Sequence, residues 1–260
     1  MHLRKMASGL LVGTVFTTAA WGADMAVKAP IIAPAVPLVT WTGFSLFGYA
    51  GWGSIDGNTD YTGTDNFSQN FLATAQARGF PLGYGSSASG FVGGGGGEYD
   101  YQLGQVVFGL RADYTYFGQN SQNAVTVALN RNQSVTVTNK IGLTGIATAR
   151  GVIGWSPIPD LLVYANAGPA WAQATQELIV NTNPAALFGV DQPFNADTWG
   201  WVVGGGARYL FDPHWFAQIE GNFFDLTNFS NDNTILGNLN YRKVTSLTAT
   251  DVTIGVGYKF

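Results

Sequence analysis

The residues able to do chemistry are few, and their spacing suits it poorly. Histidine occurs twice, at His2 and His214. Ser–His hydrolysis needs an imidazole beside a nucleophile, whereas His214 follows Asp212-Pro213 in what reads as a tight, exposed turn. There is no histidine pair for zinc, and with no cysteine in the chain there is neither a thiolate site nor a disulfide. Gly93 to Gly97 invites a phosphate-loop reading, but no Lys-Ser/Thr follows and Glu98 would repel phosphate. The run fits a strand kept thin so that neighbouring aromatic rings can lie over it. Asp56, Asp60 and Asp65 do not have the spacing of a calcium loop and read as a solvated acidic segment. No catalytic residue, cofactor or metal is therefore expected. What remains is a set of charges at inward strand positions: Glu98, Arg111, Asp113, Arg150, Arg208, Glu220, Asp251 and Lys259.

Positioning those charges takes strands. In Thr248–Phe260, Val252, Ile254, Val256, Tyr258 and Phe260 alternate with Asp251, Thr253, Gly255, Gly257 and Lys259. That is a period of two, with a different solvent on each face. Seven more segments read the same way: Trp41–Ser54, Ser89–Gln102, Val106–Phe117, Leu143–Trp155, Leu161–Gln173, Thr198–Leu210 and Trp215–Asp225. Each is long enough for a tilted strand to cross the hydrocarbon core. The connections alternate in length. Residues 55–88, 118–142, 174–197 and 226–247 are long and polar, while 103–105, 156–160 and 211–214 are tight turns. The spacing predicts an all-β fold, an eight-stranded antiparallel up-and-down transmembrane β-barrel with four long extracellular loops and three short periplasmic turns.

The two faces sharpen this. Val106, Phe108, Leu110, Ala112, Tyr114 and Tyr116 oppose Arg111 and Asp113; Trp215, Ala217, Ile219, Gly221 and Phe223 oppose Gln218, Glu220 and Asn222. The proposed outer face carries no charge, as lipid would demand: a lipid-facing Arg costs about 2–4 kcal/mol at the midplane. Aromatic residues fall where two interfacial girdles belong. Trp52, Phe91, Tyr116, Trp171, Trp199 and Phe223 lie toward the long loops, and Tyr99, Trp155, Tyr209, Trp215, Tyr258 and Phe260 toward the tight turns. A lipocalin-like soluble barrel would instead bury the aromatics and put the charges in water.

Composition agrees. Charged residues are 11% of the chain, against about a quarter in an ordinary soluble domain. Mean hydropathy is only +0.10, so the apolar content is dispersed in short pieces. The N-terminus reads as a secretory signal over residues 1–22, with Arg4 and Lys5, an apolar stretch from Met6 to Ala20, and Ala20-Trp21-Gly22 as the cleavage pattern. Losing Arg4 and Lys5 from the twelve basic residues leaves ten against sixteen acidic ones, which argues against nucleic acid as a partner. Residues 23–40, with Pro30, Pro34 and Pro37, read as an extended periplasmic tether. Residues 41–260 form the barrel.

Trp41-Thr42-Gly43-Phe44 after the Ala23-Asp24-Met25…Lys28-Ala29-Pro30 junction, Gly200-Trp201-Val202-Val203-Gly204-Gly205-Gly206, Trp215…Glu220 and the closing Gly255-Val256-Gly257-Tyr258-Lys259-Phe260 together resemble one family. It is the alphaproteobacterial porin-like outer-membrane proteins, of the outer-membrane immunogenic protein type, related in fold to the OmpA membrane domain. The resemblance covers essentially the whole mature chain, through the order and spacing of short motifs. It implies insertion by the barrel-assembly machinery, with Tyr258 and Phe260 in the terminal strand that this machinery reads. It implies no defined chemistry. Two departures stand out: Arg208 where an acidic residue is common, and Pro169 inside the fifth strand, where a bulge or an early strand end is expected.

The expected role is structural: a barrel of the cell outer membrane, surrounded by lipid and lipopolysaccharide, that maintains the envelope and displays its loops. The side-chain charges are expected to plug its lumen. A small porin for ions or solutes, and a loop-mediated adhesin or receptor using an unidentified extracellular ligand, are the alternatives. Enzyme activity is not expected. Omptin-type proteolysis, for one, lacks its histidine at the extracellular rim.

Overall fold

The computed structural model describes residues 40–130, 133–183, 190–195, 197–235 and 239–260. The leader at 1–22 and all but the last residue of the tether at 23–40 lie outside the described residues. In chain order the elements are β1 (Gly43–Gly63), α1 (Asn66–Ala77), β2 (Gly83–Leu103), β3 (Val106–Asn130), β4 (Gln133–Ile158), β5 (Leu161–Asn183), β6 (Val190–Asn195), β7 (Thr198–Leu210), β8 (Trp215–Ile235) and β9 (Leu239–Lys259). All neighbours are antiparallel, and β9 pairs with β1 to close the ring. β6 and β7 share one register against β5, Thr175↔Asn195 continuing Ala172↔Thr198, so together they form one wall of an eight-walled barrel.

The stagger follows from the pairings. Moving from partner to partner, Phe44 leads through Tyr99, Leu110, Gly151, Ala167, Val203, Phe223 and Thr250 back to β1 at Ser54, ten residues along. With a rise near 3.3 Å and strands near 4.8 Å apart, this stagger tilts the strands about 40° from the axis. A barrel so narrow has an interior that side chains can fill.

The long connections differ from their expected form. They are mainly strand. β3 and β4 pair from the membrane zone up to Asn130↔Gln133, and β8 and β9 up to Ile235↔Leu239. The reason is visible in Val125, Thr126 and Val127 facing Val137, Thr136 and Val135: β-branched residues in alternation extend a ladder even where the composition is polar. Register shifts between Tyr116 and Gln119, Leu143 and Gly145, and Leu226 and Phe229 lie just above the upper aromatic ring.

Pro169 also departs from expectation. β5 runs through it without a bulge. Against β7 the pairing is continuous, Gly168↔Val202, Pro169↔Trp201, Ala170↔Gly200. Against β4 it pauses between Thr148↔Ala170 and Gly151↔Ala167, then resumes in the same register. In an antiparallel strand a residue's N–H and C=O point to the same neighbour, so the missing N–H costs pairing on the β4 side alone.

The connection from β1 to β2 holds α1. Asp65 is its N-cap, accepting from the Ser68 backbone N–H at 2.7 Å and from the Asn240 amide at 2.8 Å. Ser68 is fully buried, and its hydroxyl accepts from the Asn240 N–H. These bonds, that from Ser68 first, hold the Asp65 carboxyl below its usual range. A depressed carboxyl stabilises above its unfolded value and loses that contribution as pH falls through the folded one. Amide exchange in α1 is therefore expected to speed up on acidification in the parent protein and to stay flat with pH in Asp65→Asn, which still caps. The same pH slope in both would rule the cap out as the cause.

Candidate functional site: the interior of the barrel

Inward positions recur at every second residue, and each wall repeats one order. From the tight-turn end, β3 turns in Val107, Arg111, Asp113, Thr115 and Phe117; β4 turns in Val152, Arg150, Thr148 and Ile146; β8 turns in Phe216, Gln218, Glu220, Asn222 and Phe224. Stacked round the ring, these positions give three strata. The lowest is apolar: Trp41, Phe47, Val107, Val152, Leu162, Tyr164, Leu210 and Phe216. Trp41 is anchored across the opening, its indole N–H donating to the Pro159 carbonyl at 3.1 Å and its ring edge-on to Phe216. The upper stratum is also apolar, including Ile55, Val92, Phe117, Leu143, Ile146, Val202, Phe224, Leu226 and Leu247. Above it a buried polar group follows, in which Gln176 donates to the Thr245 hydroxyl at 3.0 Å and Thr59 and Thr245 share a hydrogen bond.

Between the two apolar strata lies the charge. Arg208 grips Glu98 with two nitrogens, at 2.5 and 2.8 Å, and reaches Asp100 at 3.2 Å. Arg111 pairs with Glu220 at 2.5 Å. Arg150 pairs with Asp113 at 2.6 Å and Glu220 at 2.9 Å and donates to Asn166 and Asn222. Tyr49 donates to Asp113 at 2.8 Å, Thr148 also donates to Asp113, and Tyr164 donates to Glu220. All three guanidiniums and these carboxylates are buried. The lower stratum supports them from beneath, with Arg111 4.1 Å over the Phe47 ring and Arg208 4.5 Å over Tyr164.

The expected charges are not all brought together. Glu98, Arg111, Asp113, Arg150, Arg208 and Glu220 form one connected network. Asp251 is buried beside it, accepting from Asn222 at 2.9 Å. Lys259 stands apart at the turn end, its amine donating to the Thr40 carbonyl. Asp100 was missed, although it stands two residues from Glu98 and so faces the same way. With Asp100 in and Lys259 out, the belt holds five carboxylates and three guanidiniums rather than a balanced set.

The glycine run shows why it must be thin. A Cβ on Gly94 would lie 2.8 Å from the Tyr49 hydroxyl, and one on Gly97 3.2 Å from the Phe44 ring. On the outer wall, Trp52, Phe91, Tyr99, Tyr116, Trp155, Trp199, Tyr209, Trp215 and Phe223 are exposed, as is Phe260. Trp171 and Tyr258 are half-buried. Tyr258 packs among Trp215, His214 and Phe260, and Phe260 stacks on Phe44 across the closing seam. His214 lies in an exposed turn, 3.7 Å from Asp212. Asp56 and Asp60 face out from β1 into solvent.

Comparison with known proteins agrees with this architecture. Residues 66–260 match the family model described as outer membrane protein beta-barrel domain. An uncharacterized protein of Coxiella burnetii is 26% identical over 275 residues, covering 100% of this chain and 97% of the relative. Among solved structures, Neisserial surface protein A is 16% identical over 84% of this chain and 98% of its own, with a TM-score of 0.39. The outer membrane protein OprG from Pseudomonas aeruginosa is 13% identical over 84% and 96%, with a TM-score of 0.42. The chain belongs to the outer membrane protein beta-barrel domain family, and its place is the outer membrane.

Proposed function

We propose that this protein is a structural barrel of the outer membrane, closed along its lumen, that stabilises the envelope and displays its strand hairpins and α1 outside the cell. One observation carries the reading: side chains cross the interior in three successive strata, apolar, ionic and apolar. An ion on this path would have to leave water twice, and each apolar stratum offers it no polar partner. The absence of chemistry fits the same reading, because the buried acids are engaged in holding guanidiniums and the described histidine sits at the exposed turn. The protein's partners on this reading are outer-membrane lipid and lipopolysaccharide, with the barrel-assembly machinery acting on the Tyr258–Phe260 strand end. The motifs around Trp41 and Gly200 place its nearest likeness among the alphaproteobacterial porin-like proteins.

Purified protein in planar bilayers is expected to give no steady conductance steps at neutral pH. Reproducible unitary steps would overturn the closed reading and favour the small porin. The adhesin reading has its own support in Phe67 and Phe71, one turn apart and exposed on α1. It requires that deletion of α1 abolish binding of whole cells to a surface they otherwise hold.

A further inference from the structure

The lipid-facing wall carries a groove that the lumen does not use. It is a cavity of about 770 Å³, within the roughly 300–1,000 Å³ range of small-molecule sites. Two adjacent rungs form it across β7, β8, β9 and β1. One runs Tyr209, Ala217, Val256, Gly48; the next runs Ala207, Ile219, Ile254, Ala50. Short outward side chains make the floor, and Tyr209 and Ile254 rise beside it. The groove opens toward the tight turns, since Tyr209 and Ala217 stand two residues inside the ends of the β7–β8 connection and Leu161 begins β5. At that foot the turns present Asp160 and Asp212. The two turns are tied together by the Leu210 N–H donating to the Asp160 carbonyl at 2.8 Å. The other charged groups at this rim are His214, beside Asp212, and Lys259, whose amine is turned to the Thr40 carbonyl.

We propose that this groove seats an acyl chain of one phospholipid from the periplasmic leaflet, and that the lipid is one carrying a primary amine. The groove is continuous with the surface the barrel already gives to lipid, and its lining is apolar throughout the membrane zone. Its depth fits it for a chain rather than for a flat neighbour: a stable contact with a second copy needs about 800 Å² from each partner, and the groove is only two rungs deep. The acidic foot complements an ammonium head group and would repel an anionic one.

Native mass spectrometry of the full barrel, released from vesicles of equal parts phosphatidylethanolamine and phosphatidylglycerol, tests this. One retained phosphatidylethanolamine is expected. Ala217→Phe, which fills the floor from the lipid side, is expected to lower retention about tenfold, or roughly 1.4 kcal/mol, with the boiled-against-unboiled gel shift unchanged. Asp212→Asn should keep the lipid but lose the preference between head groups. Equal retention of both lipids by the parent, equal retention in Ala217→Phe, or a dimer abolished by Ala217→Phe would each overturn the proposal.

Discussion

Arg208→Met is expected to cost the barrel about 3–5 kcal/mol, the range for breaking a buried ion pair by removing one partner. Methionine can keep the contacts that the arginine stem makes with Tyr164 and Phe216. The loss therefore isolates charge: Glu98 and Asp100 remain inside with their shared guanidinium gone, and Arg111, 3.7 Å from Glu98, is the nearest substitute. Adding Glu98→Gln and Asp100→Asn to Arg208→Met should recover most of the loss, because a neutral polar set no longer leaves a carboxylate buried without its cation. Asp251→Asn is the control. Among the described residues Asp251 has Asn222 as its printed hydrogen-bond partner and no guanidinium at ion-pair distance, so its replacement should cost less than 1 kcal/mol. The urea midpoint of the refolded barrel, followed by gel mobility without boiling, measures all three. A triple variant as unstable as Arg208→Met alone would mean that the arginine acts through shape rather than charge.

This network was partly legible before any coordinates. Period-two alternation fixes which side of a strand a residue faces, so Arg111, Asp113, Arg150, Arg208 and Glu220 could be sent inward from the sequence alone. Facing inward does not say at what height a residue sits, and height decides who meets whom. Lys259 and Glu98 face the same interior, yet a stagger of ten residues around the ring puts Lys259 at the rim and Glu98 opposite Arg208. The apolar strata were hidden for a related reason. Phe216 and Phe224 share a face with Glu220, and a reading that separates lipid from lumen by hydrophobicity has no place for phenylalanine on the lumen side. The order apolar, charged, apolar along β3, β4 and β8 is present in the sequence as a repeat from strand to strand. It becomes meaningful once the registers line the strands up. The extracellular hairpins were misjudged because Asn and Thr were counted as loop formers, while the valines between them at Val125, Val127, Val135 and Val137 kept the strand period.

Gly96→Ala is expected to cost about 3 kcal/mol, at the top of the usual range for overpacking, and Gly93→Ala, three residues away in the same run, less than 1 kcal/mol. A Cβ on Gly96 would stand 2.3 Å from the Ala112 carbonyl oxygen and 2.8 Å from the Asp113 Cα, both backbone atoms of the paired strand β3. Neither can swing aside as a flexible side chain would, so β2 and β3 must part where Asp113 is held by Arg150. A Cβ on Gly93 would meet the Tyr49 carbonyl at 3.5 Å, an ordinary contact. Because both glycines lie in one strand, a difference in strand propensity cannot separate the two variants; local spacing can. The Gly96 change should also reach the ionic belt, since Asp113 moves with its own Cα. In Gly96→Ala, then, Arg150→Met should cost less than it does in the parent, the two losses adding to less than their sum. Strict additivity would place the damage of Gly96→Ala outside the network, and equal tolerance of the two glycine changes would show that the wall is softer than its spacing implies.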